Sequence, residues 1–326
     1  MKADYYSILE ISPVATDEVA HAAYRTLAKL YSDDGHKMRA LNEAKEVILD
    51  KDKREEYDAE RKIKKGKIIG NYRVISQIAE GGFGTTYRGE HNMLGTPVCL
   101  KHAHYVSPQD ELLLFEEAKS MWDLRHYSIP NIREIVRMDD GSMVLVMSYI
   151  PGPTLAQIVD KHRRLDPEHV GWIAERSLHA LKYIHYHGIV HGDVKPQNII
   201  IQGDSHQVVV VDYGLSLIRP NKKSASKGYT PMFASPEAIR GEPLLPESDF
   251  YSLGITMIYA LGGDVEMRRV PNDTPEPMCK FIKSLIAYEV SGRPHWRKVD
   301  LCDTIREVRQ KSFGRTASGM KPLPAM

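Results

Sequence analysis

The chain has 326 residues, 27% of them charged, and a formal net charge of +1. That length suits two or three domains, and near-neutrality excludes a global field for nucleic acid or an acidic membrane. A hydrophobic share of 42% argues against disorder, and three scattered cysteines, Cys99, Cys279 and Cys302, with no Cys-x-x-Cys, exclude a disulfide framework or zinc module. The opening "MKADYYSILE" lacks the apolar run of a signal peptide, and "SMVLVMSYI" and "QVVVVDYG" are too short to span a bilayer. A soluble protein of a reducing compartment, the cytoplasm, is expected, with neither nucleic acid nor membrane as partner.

Residues 1–60 read as all helix. Val19, Ala22, Ala23, Leu27 and Leu30 form a helical stripe that Thr16 can start, with Asp17 and Glu18 at its positive end. Ser32-Asp33-Asp34-Gly35 breaks it, and a second stripe runs through Met38, Leu41, Ala44 and Ile48, implying a helical hairpin. The basic stretch "AERKIKKGKIIG" reads as a linker, taken as residues 61–67, or as a solvated helix end.

From Tyr72 the pattern turns to short strands, "YRVISQIA", "TTYRGEH" and "PVCLKHA". A helix from Ser107 follows, with Ser107 and Asp110 at capping-box spacing and Pro108 at its first position. Asp139-Asp140-Gly141 signals a hairpin. After Pro153 the chain is mostly helical to about Lys311, and the residues from 313 to 326, rich in Gly, Pro and small side chains, read as a flexible tail. The class is α+β: a β-rich lobe and a larger helical lobe with a cleft between, preceded by a small all-α module.

Four features carry chemistry. Gly81, Gly82 and Gly84 lie in a predicted hairpin, where a backbone without Cβ atoms approaches a phosphate closely. Lys101 ends a strand and can place positive charge on such phosphates. In the helix that follows, Glu117 interrupts an apolar stripe of Leu113, Met121 and Leu124. A buried acid needs a counter-charge, and Lys101 is the natural partner. In "HGDVKPQNII", Asp193 can accept the proton of an attacking hydroxyl, Lys195 can neutralise a γ-phosphate, and Asn198 can ligate magnesium with a second oxygen ligand, Asp212, after the strand "QVVVV".

Taken in order, the glycine loop 79–87, "VCLK", Glu117, "HGDVKPQN", "DYG", "TPMFASPE", "SDFYSLG" and "SGRP" resemble the motif set of a eukaryotic-type protein kinase domain over residues 68–312. The resemblance implies a bilobal kinase fold, ATP and Mg²⁺ as cofactors, and a protein substrate phosphorylated on Ser or Thr, which Lys195 favours over Tyr. It implies that ATP is held by Ile78, Ala79, Glu80, Gly81, Gly82, Phe83, Gly84, Thr86, Cys99, Lys101, Met147, Ser148, Tyr149 and Ile150. Asp193, Lys195, Lys101 and Glu117 are the implied catalytic set, and Asn198 and Asp212 the metal ligands. Asp249 is the implied brace of the catalytic loop, and Glu237 pairs with Arg293. Ser224 and Ser226 are autophosphorylation candidates, and Thr230 is placed on the substrate platform.

Departures from the family bear on the reading. Gly192 stands where many members carry an Arg that binds an activation-loop phosphate, so that switch is not expected. The stretch from Gly263 to Pro277 is short, so a docking helix is reduced. His-Gly-Asp is also favoured by aminoglycoside- and choline-kinase-like enzymes, which leaves a small-molecule phosphotransferase as an alternative. A pseudokinase scaffold is the third reading.

"DYYSILEISPVAT", "AYRTLAKLYS" and "LNEAKEVILDKDKREEYD" resemble a J-domain, the co-chaperone module of DnaK-type ATPases. The His-Pro-Asp that carries its activity should follow Tyr31, where the chain reads Ser32-Asp33-Asp34. A degenerate J-like module is therefore expected, docking a DnaK-type chaperone or another partner, or regulating the chain, without stimulating a chaperone. A structural spacer is the rival reading.

Overall fold

The structure is a computed structural model that describes residues 5–11, 15–61, 64–81, 84–103, 115–119, 121–139, 141–221, 224, 227–316 and 321–324. It divides into two compact units, Met1–Lys119 with Ile132–Tyr149, and Ser120–Asn131 with Ile150–Met326.

The first unit opens with four helices, α1 (Tyr5–Ile8), α2 (Asp17–Leu30), α3 (Gly35–Ile48) and α4 (Lys51–Arg61), two more than the expected hairpin. Their core gathers Tyr6, Leu9, Ile11, Ala20, Leu27, Leu41, Ala44 and Ile48. The stripe expected on α2 divides between two faces. Leu27 is buried and Ala23 half-buried, but Val19 and Leu30 are 50% and 69% exposed and Ala22 faces solvent. The buried row is centred on Ala20, Tyr24 and Leu27, a helical spacing that the neighbouring apolar residues mask in the sequence. Thr16 precedes α2 without capping a backbone N–H; its hydroxyl bonds the Glu18 carboxylate instead. Arg54 ties α4 back to the start of the unit, donating to the Tyr6 hydroxyl at 3.0 Å and the Ala15 carbonyl at 2.7 Å.

Among the described residues the unit continues with a helical turn at 115–119 and a six-stranded antiparallel sheet of β1 (Ile68–Ile69), β2 (Tyr72–Gly81), β3 (Gly84–His91), β4 (Pro97–Ala103), β5 (Ile132–Arg137) and β6 (Met143–Ser148). The order is β1-β2-β3-β4-β6-β5. Ile68 and Ile69, directly after the residues read as linker, form the short edge strand β1. The β5–β6 hairpin is closed by Met138 N–H donating to Ser142 O at 2.8 Å and Gly141 N–H donating to Met138 O at 3.0 Å. Strand alternation sends Tyr87, Val98, Leu100, Val144 and Val146 into one packed face. The helix start expected at Ser107–Asp110 lies outside the described residues.

The second unit is mainly helical: α5 (Leu155–His162), α6 (Pro167–Tyr186), α7 (Pro236–Ile239), α8 (Pro246–Ala260), α9 (Glu276–Leu285) and α10 (Leu301–Phe313). Asp166 caps α6, accepting from Glu168 N–H, and Pro167 sits at its first position, where a missing N–H costs nothing. Two small antiparallel sheets complete it, β7 (Ile189–Val190) with β10 (Leu217–Ile218), and β8 (Ile199–Gln202) with β9 (Gln207–Val210). Between α8 and α9 no helix intervenes; an Asp264–Arg269 bridge turns the chain in the shortened stretch. In the stretch read as a flexible tail, Arg315 and Lys321 are ion-paired to α6 and its cap, where one buried and one capping carboxylate require counter-charges.

Candidate active site

Each unit carries its own constellation. In the first, the strand register sets Thr86 opposite Lys101, Lys101 opposite Leu145, and Cys99 opposite Met147. Period-two alternation therefore puts Thr86, Cys99, Lys101 and Met147 on the face of the sheet away from its packed core. Lys101 donates to both Glu117 oxygens, at 3.0 and 2.8 Å, with their side chains only 10% and 3% exposed. Glu117 sits in the helical turn 115–119. This is the pairing that an acid on an apolar stripe demands.

Ala79, Glu80 and Gly81 pair with Thr86, Thr85 and Gly84 in the β2–β3 hairpin, while Ile78 is half exposed. Gly82 and Phe83 lie outside the described residues. Gly84 has a reason to be glycine besides phosphate access: with φ of 155°, a Cβ would stand 2.3 Å from the His102 carbonyl oxygen. Ser148 ends β6, and the Arg88 guanidinium lies over the Tyr149 ring at 5.2 Å. Ile150, half-buried, begins the second unit's main segment.

In the second unit the loop between β7 and β8 is fixed from below by Asp249, in the first turn of α8 and 1% exposed. Its carboxylate accepts from the backbone N–H of His191 at 2.8 Å and of Gly192 at 2.9 Å. His185, from α6, adds a third bond at 2.8 Å. Trp296 Nε1–H, which only donates, meets His185 Nδ1 at 2.9 Å, so the His185 proton that reaches Asp249 sits on Nε2.

Above this brace stands Asp193, 8% exposed. Thr230 Oγ1 donates to its Oδ1 at 2.7 Å, and Lys195 Nζ lies 2.6 Å from its Oδ2 and 2.9 Å from Thr230 Oγ1. Asn198 Nδ2 donates to the Asp193 carbonyl at 2.9 Å and to Oδ2 at 3.1 Å. Because the amide nitrogen is spent on these two acceptors, the outward atom of Asn198 is its carbonyl oxygen, a hard ligand of the kind magnesium selects. Asp212 offers an exposed carboxylate at a φ of 65°, at the far end of the β8–β9 hairpin, and Val211 N–H donates to Asn198 O at 2.9 Å. One carboxylate and one amide oxygen suit an ion that keeps most of its waters. Among the described residues no group of three or more His, Cys, Asp or Glu forms a protein-only metal cage. The next residue, Tyr213, packs its ring 4.6 Å from His191, and its buried hydroxyl has no partner among the described residues, a cost that phenylalanine would avoid.

Glu237 and Arg293 form a closed ion pair. Arg293 donates to Glu237 at 2.6 and 2.9 Å, and its other N–H groups go to the carbonyls of Ala287, Glu247 and Tyr288, so all five donors are used. Ser248 Oγ also donates to Glu237 at 2.7 Å. Burial pushes the Glu237 pKa up, but the Arg293 and Ser248 bonds outweigh it and hold it below the usual range. Ser224 Oγ accepts from Asn221 N–H at 2.9 Å; Ser226 lies outside the described residues. The Thr230 bond to Asp193 and the Trp296 bond to His185 were not foreseen from spacing, since both link residues far apart in the chain.

A family model described as the protein kinase domain matches residues 72–300, and one described as the DnaJ domain matches residues 4–58. The chain belongs to the protein kinase domain family and carries an N-terminal DnaJ domain. It is 31% identical over 212 residues to the probable serine/threonine-protein kinase PknB of Lactococcus lactis, covering 61% of this chain and 33% of that protein. It is 33% identical over 196 residues to the serine/threonine-protein kinase PAK mbt of Drosophila melanogaster, covering 58% of this chain and 30% of that one. The chain thus spans about a third of the length of these curated relatives. Among the described residues no helix is long and apolar enough to cross a membrane.

Proposed function

We propose that the chain is an ATP- and Mg²⁺-dependent serine/threonine protein kinase. The observation that carries this is the Asp193 carboxylate, held at hydrogen-bond distance by Lys195, Asn198 and Thr230. Asp193 takes the proton of the acceptor hydroxyl as its oxygen bonds the γ-phosphorus and the bond to the β,γ-bridging oxygen breaks, releasing ADP. A base so placed contributes about 10²–10⁴-fold. Lys195 Nζ offsets negative charge on the transferring group, and Asp249 keeps the loop backbone from yielding as charge moves. Lys101, oriented by Glu117, anchors the α- and β-phosphates. Asn198 and Asp212 would hold magnesium, which supplies charge neutralisation at the phosphates. Ile78 to Gly84, Thr86, Cys99 and Met147 to Ile150 are assigned to ATP, and Ser224 and Ser226 to autophosphorylation, by family position. No disulfide joins Cys99, Cys279 or Cys302 among the described residues, and a reducing, cytoplasmic setting is assigned to the chain.

The DnaJ domain is assigned to docking or regulation without chaperone stimulation. Asp34 supports this: its carboxylate accepts from His36 and Lys37 N–H at 3.1 Å, capping α3, and the residues before it are Ser32 and Asp33.

Radiolabelled ATP tests the whole reading. Label on Ser or Thr of protein is expected, lost in Asp193→Asn with folding preserved. Label on a small alcohol, label nowhere, or wild-type turnover in that variant overturns it.

A further inference from the structure

The residues after Phe313 take no part in the chemistry above, yet both described pieces of them are fastened to α6. Arg315 grips Glu168 with two bonds, Nε and Nη2 donating at 2.7 Å each. Glu168 lies in the first turn of α6 with its side chain 3% exposed, where a carboxylate needs a counter-charge. Arg315 holds its pKa below the usual range, against the effect of burial. Lys321 donates to Asp166, the cap of α6, at 2.7 Å. Its carbonyl faces His206 Nε2 at 3.4 Å, and Leu323 covers Gly203, 3.4 Å from where a Cβ there would stand. His206 in turn packs edge-on to Trp172 at 5.1 Å.

Gly203 to His206 is the turn that joins β8 to β9. The open ends of that hairpin are Asn198 and Val211, bonded to each other at 2.9 Å, with Asp212 next in line. Four register pairs, Ile199 with Val210 through Gln202 with Gln207, separate the turn from the two metal ligands. A short two-stranded ribbon has little stability of its own and takes its position from what packs on it.

We propose that Arg315, Lys321 and Leu323 are positioning residues for the Asn198–Asp212 pair: a C-terminal strap that clamps the 203–206 turn onto the start of α6 and so fixes the ends of the β8–β9 hairpin. The inference rests on the metal-ligand reading of Asn198 and Asp212. Two of the three fastenings are ion pairs with Arg315 and Lys321 37% and 52% exposed, so the strap is held more loosely at high salt.

The test compares the wild-type 326-residue chain, Arg315→Glu/Lys321→Glu, Leu323→Gly and the conservative Arg315→Lys. Hydrogen exchange is followed at residues 199–211 and 315–324, beside the Mg²⁺ concentration that half-saturates phosphate transfer. Releasing the strap should speed hairpin exchange and raise the half-saturating Mg²⁺ by about 3- to 30-fold, the usual range for coupling through a packed element, while turnover at saturating Mg²⁺ is retained. Arg315→Lys should restore most of the wild-type values. If the double reversal does not fold, Leu323→Gly, which leaves both ion pairs, gives the same readout. Unchanged hairpin exchange with exchange at 315–324 raised overturns the strap, and so does a loosened hairpin with an unmoved Mg²⁺ requirement. If wild type transfers no phosphate the kinase reading fails, and hairpin exchange alone decides the strap.

Discussion

Gly192 gives its backbone N–H to the Asp249 carboxylate at 2.9 Å while holding a φ of 77°. That left-handed backbone is open to glycine and costs other residues roughly 1–2 kcal/mol. A Cβ at Gly192 would also stand 2.9 Å from the Leu215 carbonyl oxygen. Gly192→Arg is therefore expected to lower stability by about 1–2 kcal/mol in denaturant titration. Activity of wild type and variant alike should not depend on activation-loop phosphate, because the Thr230 hydroxyl itself joins Asp193 and Lys195. Unchanged stability, or phosphate-dependent activity in the wild type, would contradict this.

The Lys101–Glu117 pair separates stability from chemistry. Lys101→Met alone removes the Lys101 charge from a carboxylate 3% exposed, at a cost of about 3–5 kcal/mol or a protonated acid. Lys101→Met/Glu117→Leu removes both charges and should recover most of that stability, since apolar replacement of a buried pair is often neutral. Phosphate transfer should be lost in both variants. A double variant as unstable as the single one would refute the buried-pair argument, and an active one the assignment of Lys101 to the phosphates.

Lys101 and Glu117 were legible because a charge on an apolar stripe is an anomaly that one partner resolves. The helix stripes of α3 and the strand alternation of β3, β4 and β6 were legible for the same reason, since burial imposes a period. On α2 apolar residues line two faces, so periodicity alone did not say which was buried. The strap was hidden because Gly, Pro and small residues signal a loose end, whereas Arg315 and Lys321 act through acids about 150 positions earlier. Thr230 with Asp193 and His185 with Trp296 were hidden likewise: only the fold brings such pairs together.

In the DnaJ domain Asp34 has a local task that a chaperone does not share. Its carboxylate satisfies two backbone N–H groups at the start of α3. Asp34→Ala should destabilise the start of α3, as loss of an N-cap does, seen as earlier melting of residues 17–48 by hydrogen exchange. The 326-residue chain should leave the ATPase rate of a DnaK-type chaperone unchanged, with or without Asp34. Stimulation that disappears in Asp34→Ala would show an active co-chaperone and overturn the docking reading.

Acid should weaken the second unit in two windows. Burial lowers the pKa of His126, His169 and His179, so the unfolded chain takes up protons near pH 6.5 before the folded one does. Stability is full above that value and falls as pH drops through the lowered folded values. Glu237 acts lower down. Arg293 and Ser248 hold its pKa below the unfolded value of about 4.3, so its contribution is present above that pH and lost as pH falls through the depressed value. Glu237→Gln keeps the shape but leaves the Arg293 guanidinium, with no side-chain exposure, lacking a counter-charge. It should cost about 3–5 kcal/mol at neutral pH and flatten the lower window of the stability curve while leaving the upper one in place. Denaturant midpoints between pH 3 and 8 check both windows. An unaltered lower window in Glu237→Gln would mean that acid sensitivity there belongs to other carboxylates, Glu168 and Asp166 first among them, because Arg315 and Lys321 lower their pKa values too.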